Sequence, residues 1–164
     1  MSEVILVKLF EHNNWANIQI IQACSALSDE QLDAEPHFAT KGNIRQTLLH
    51  LVSSQRGYLS LLTLPVEERE KVPLEFSDVK EVAQSSGENL LALVRDGLDQ
   101  LPPRLQTTDG FFVEPWVVLV QIINHATEHR EQINGMLSAQ GITPPDLDGW
   151  GYGEATNALI PIAK

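Results

Sequence analysis

The sequence has a single cysteine, Cys24, so no intrachain disulfide can form. A reducing compartment is the natural reading. Cys24 lies in an apolar helical stretch, where a buried inert thiol is expected rather than a nucleophile. Basic residues are also few: 11 Lys and Arg stand against 22 Asp and Glu, for a formal net charge of -11. The bases are scattered, and without a cluster of them phosphate attraction is weak. Nucleic acid and anionic membrane surfaces are therefore excluded as partners. No apolar run approaches the roughly 20 residues that span a bilayer. Met1-Ser2-Glu3 lacks the basic start and cleavage site of a signal peptide, and the expected location is the cytoplasm. A Gly-rich phosphate loop, a Cys-x-x-Cys pair and a Gly-x-Ser-x-Gly elbow are all missing. So are internal repeats, low-complexity tracts and strong strand patterns.

What remains is 164 residues, 43% of them apolar, enough for one domain, 1–164, with a sizeable core. A first helix is expected over residues 3–27, with Leu6, Leu9, Ala16, Ile20 and Leu27 at helical spacing. Asn13 falls in that stripe and His12 on its flank. Ser28 and Gln31 form a capping-box pattern that points to a short turn before Pro36. Residues 34–42 read as a loop containing His37, which is expected to be exposed. Asn43 can cap a second helix running to about Leu62, its apolar face formed by Ile44, Leu48, Leu51, Leu59 and Leu62. His50 lies on the flank of that face with Thr47 and Ser54, so periodicity alone leaves it near a polar edge. An acidic connector over 65–76 follows. Ser77 is expected to cap a third helix, which Pro102-Pro103 ends. Asp109-Gly110 marks a turn between two short segments, either a small hairpin or an irregular loop. Pro115 suits the first position of a fourth helix and Gly141 its C-terminal cap. The tail, 148–155, is rich in glycine and aromatics, and reads equally as a lid over one end of a bundle or as a surface loop. Four long helices point to an all-α four-helix bundle.

The fourth helix carries the densest chemistry. His125 and His129 are four apart and share one face with Val118, Ile122, Ile133 and Met136. Two imidazoles on an apolar stripe need partners or a metal. Neutral imidazole is the commonest metal ligand, and an i, i+4 pair offers two ligands from one helix. The alternative is a pair of core histidines, each hydrogen-bonded to a neighbouring helix. The polar side chains that could face inward are His12, Asn13, His50, Gln121, His125, Glu128, His129 and Gln132. His-x-x-Glu-His also spells a zinc-protease signature in which the glutamate is the base. Here the larger peptidase scaffold has no room, and Glu128 lies on the flank of the histidine face. A solvated carboxylate, or one paired with a base such as Arg130, is expected there.

A wider resemblance covers nearly the whole chain. It is carried by Leu9-Phe10 with Asn13-Asn14-Trp15-Ala16-Asn17, by the run 44–51 ending in His50-Leu51, and by the run 124–133 containing His125 and His129, then Gly141-Ile142 and Pro144-Pro145. In this order and spacing the chain resembles the DinB/YfiT-like family of metal-dependent enzymes. The resemblance implies a four-helix bundle with a non-sequential helix order, often a homodimer. It implies a divalent metal, nickel or zinc, held by three histidines, which map to His50, His125 and His129. It brings His50 in, where position alone did not. Three nitrogen ligands with an open fourth position are the pattern of a catalytic metal, and the family includes transferases that use low-molecular-weight thiols. The implied function is activation of a thiol or water for transfer to, or hydrolysis of, a small-molecule substrate. His12, Gln121 and Glu128 are the candidates to orient or deprotonate the nucleophile. The alternative is a metal- or ligand-binding module without turnover. His12, where the family often has an aromatic residue, and the tail after Pro145 depart from the family pattern. Both bear on the substrate.

Overall fold

The computed structural model describes residues 2–36 and 41–162; His37 and part of the 34–42 loop lie outside them. Four long helices dominate: α1 (Ser2–Ser25), α3 (Ile44–Thr63), α4 (Val79–Asp96) and α5 (Pro115–Ala139). Two short ones, α2 (Asp29–Asp33) and α6 (Gly149–Ala155), follow α1 and α5. Strands β1 (Leu105–Gln106) and β2 (Phe112–Val113) pair antiparallel, so the segment before α5 is a hairpin. The all-α expectation is borne out. Among the described residues no helix is long and apolar enough to cross a membrane.

The helix ends follow from local chemistry. Ser28 and Gln31 form the reciprocal capping box that starts α2. At α3, Asn43 Oδ1 accepts from the Gln46 backbone N–H at 2.9 Å, and Gln46 Oε1 accepts from the Asn43 N–H at 3.1 Å. Gly42, at φ +126°, precedes this box. A Cβ there would sit 2.0 Å from Gln46 Oε1, so a side chain would break the cap. α5 ends in a Schellman motif: Ile142 N–H donates to Leu137 O, Gly141 N–H to Ser138 O, and Gly141 takes φ +73°. Ser77 does not cap α4. Residues Phe76–Asp78 form a 3-10 turn, and Ser77 Oγ donates to Asp78 Oδ1 instead of accepting from the helix.

α1 packs chiefly on α4, α3 on α5 and on α4, and α1 also on α5. Because α1 is covered on two sides, its buried face is broad. Phe10, Asn13, Ala16, Asn17, Ile20 and Cys24 are buried, whereas Leu9, expected on that face, is 44% exposed. One buried cluster contains Phe10, Leu62, Leu90 and Ile122; the other contains Ile20, Leu48, Ala83 and Ile133.

A buried polar relay connects the four long helices. Arg130 of α5 donates to Asn13 Oδ1 (2.8 Å) and Asn17 Oδ1 (2.6 Å) of α1. Asn17 donates to Gln55 Oε1 of α3 at 2.8 Å, and Gln55 Nε2 to Ser86 Oγ (2.7 Å) and Ala83 O (2.9 Å) of α4. Burial pushes the Arg130 pKa down to about 10, which still leaves the guanidinium charged at neutral pH. Its acceptors are neutral oxygens, so the relay carries a cation without a carboxylate. Removing one member strands the others in a dry core. Gln55→Leu is expected to lower stability by roughly 1–2 kcal/mol, read as a shift in the urea midpoint. An unchanged midpoint would show that the relay contributes nothing.

Candidate metal centre

α5 supplies His125 and His129 from successive turns, which places both imidazoles on one side of the helix. α3 packs against that side and supplies His50. The flank of α3 that reads as a polar edge is therefore an inter-helix position, because α3 is covered by α5 as well as by α4. His125 Nε2 lies 3.1 Å from His50 Nε2 and 3.2 Å from His129 Nε2. The three rings stand with centroids 5.0, 4.8 and 4.4 Å apart. His129 is buried, and the other two are half-buried.

The protons do not suit this convergence unaided. Gln132 Oε1 lies 2.7 Å from His129 Nδ1 and can only accept there, so the proton sits on Nδ1 and the Nε2 lone pair points inward. A neutral His125 can mediate both of its Nε2 contacts only as one shared donor. A cation would instead face all three lone pairs at once. Imidazole–zinc bonds of about 2.0–2.1 Å at a tetrahedral centre imply nitrogens roughly 3.3 Å apart, close to the two separations observed. The three histidines could hold a metal ion. Burial pushes the His125 pKa down to about 4, assisted by the charges of His129, His50 and Lys41. Burial, His129 and Lys41 lower that of His50 as well. Both are therefore neutral near pH 7, the form in which imidazole binds metal.

The other candidate residues lie elsewhere. His12 is drawn to the C-terminal segment: its Nε2 is 2.8 Å from Leu147 O, and its ring packs on Trp15 and Tyr152. The tail thus forms α6 and packs on α1. Gln121, one turn before His125, is exposed, as is Glu128. Arg130 is engaged with Asn13, Asn17 and Thr127, so it does not pair with Glu128. Two residues at the centre had no assigned role in the sequence. Gln132 fixes the tautomer of His129, and its i+3 spacing was the available signal. Tyr58 stands edge-on to His125 with ring centroids 5.6 Å apart, and no periodicity marks it.

The sequence model of the DinB family matches residues 1–161. The chain is also 25% identical over 154 residues to Protein DinB of Bacillus subtilis (strain 168), covering 86% of this chain and 89% of that one.

Proposed function

Because this chain belongs to the DinB family, we propose that it is a divalent-metal enzyme. His50, His125 and His129 hold nickel or zinc, and a thiol or water is activated for transfer to, or hydrolysis of, a small molecule. The observation that carries this reading is the convergence of three Nε2 atoms from two helices. The chemistry such an ion supplies is acidification of a thiol or water, which makes the nucleophile available near neutral pH. The chain's own part is positional. Gln132 orients His129, burial keeps His50 and His125 unprotonated, and Tyr58 walls the site beside His125.

The proposed frame is a single four-helix bundle in which α1 and α5 run one way and α3 and α4 the other. The order in which residues of each helix enter the two buried clusters supports it. The consecutive long helices α1 and α3 are then diagonal, which makes the order non-sequential. A homodimer, by family likeness, and a cytoplasmic location, by the lone cysteine and the lack of a spanning run, complete the proposal.

Metal-loaded protein incubated with low-molecular-weight thiols and a panel of electrophiles should turn over. The activity should disappear on chelation and return with metal. Binding of thiol or electrophile without turnover would instead make the protein a binding module.

Glu128 separates two chemistries. A protease-like site needs it as base, whereas the exposed Glu128 has no hydrogen bond or ion pair among the described residues. Glu128→Gln is therefore expected to keep the metal and to leave kcat within about twofold. A loss of about a hundredfold with metal retained would restore the glutamate as base.

A further inference from the structure

On α3, positions four, seven and eleven beyond His50 are Ser54, Gly57 and Leu61, which share its side of the helix, and Leu64 is the residue that caps its C-terminus. All four line a cavity of about 750 Å³. No histidine lines the cavity, and Tyr58, which lines it, also abuts His125. The facing wall includes Arg69, Lys71 and Val72 of the 65–76 connector, and Thr107 beyond β1. Arginines tie this wall down. Arg56 donates to Val72 O, and Arg69 donates to Leu64 O and Gln106 O.

Gly57 is the first clue to an occupant. It lies inside a 20-residue helix, where glycine is less favourable than alanine. A Cβ at Gly57 would meet nothing within 4 Å, so packing within the protein does not require the glycine. The glycine leaves a flat floor across which a ligand could approach the backbone. Charge is the second clue. Arg56, Arg69 and Lys71 line the cavity beside Glu68 and Glu70, three bases to two acids in a chain of net charge -11. Among the described residues none of these three bases joins an ion pair. Arg56 and Arg69 bond only to carbonyl oxygens, which leave their charge uncompensated. Beside these bases the lining offers an apolar group, Tyr58, Leu61, Leu64 and Val72, with Ser53 and Ser54 at the end toward His50.

We propose that this cavity seats an elongated amphiphile with an apolar body and a carboxylate end. The carboxylate lies among Arg56, Arg69 and Lys71, and the body crosses Gly57 against Leu61 and Val72.

Calorimetric titration with octanoate, 1-octanol and octyltrimethylammonium tests the cavity. Octanoate should bind about tenfold tighter than 1-octanol, and the cation should not bind. Lys71→Glu should weaken octanoate by about fivefold and leave 1-octanol unchanged. Gly57→Phe should abolish both. Should that variant unfold, Gly57→Ala should keep or raise the melting temperature while weakening octanoate about threefold. Octanoate bound no tighter than 1-octanol, or bound equally by the glycine variant that folds, overturns the proposal.

Discussion

Alanine in place of His125 is expected to reduce metal uptake from about one divalent ion per chain to none. His125 Nε2 is the shared vertex of the trio, 3.1 Å from His50 and 3.2 Å from His129. Its loss leaves two nitrogens from different helices with no third donor between them. Loss of an outer-shell partner alone costs about 10–100-fold in affinity. Gln132→Ala, which removes the acceptor at His129 Nδ1, should fall in that range, and His125→Ala should fall well beyond it. Elemental analysis after reconstitution with nickel or zinc and desalting reads both effects. Full metal retention by the triple variant of His50, His125 and His129 would sink the site.

Much of the helical frame was legible because its signals are local. Caps at Ser28 and Asn43, the proline at 115 and the glycine at 141 each act within one turn, and each marks the boundary seen. Ser77 misled because a cap depends on backbone geometry. The preceding 3-10 turn displaced the helix start to Val79. Leu9 misled because a stripe read from spacing assumes one buried side, and α1 has two covered sides.

The centre was legible in halves. His125 and His129 are an intra-helix pair, so spacing alone places them together. His50 meets them only through the packing of α3 on α5, which no periodicity within α3 encodes, and a family likeness was needed to bring it in. His12 shows the converse. Its helix position allowed a role at the centre, but the Leu147 carbonyl and Tyr152, from 135 or more residues away, engage it instead. Gly57 was unremarkable as a letter. Its meaning appears once the space above it is known to be open.

Metal should also stabilise the fold, because the unfolded chain cannot present ligands from α3 and α5 together. A ligand that binds only the folded state adds RT ln(1 + [L]/Kd), roughly 2.7 kcal/mol at a hundredfold excess over Kd. For a domain of this size that is a rise in melting temperature of roughly 5–10 °C. Acid acts on both terms. The folded protein holds the His125 pKa near 4, below the reference value of about 6.5 that the unfolded chain takes, and His50 is lowered too. As pH falls from about 6.5 toward about 4 the unfolded chain binds protons that the fold refuses, so the metal-free protein loses stability. Metal must in turn displace any proton on the trio, so its increment shrinks as well. The melting temperature should therefore rise with nickel or zinc at pH 7.5, and rise less at pH 5.5 from a lower starting value. His50→Ala keeps the pair on α5 but loses the link to α3, and it should lose most of the rise. A wild-type response from His50→Ala would mean that the metal sits on α5 alone and does not join the two helices.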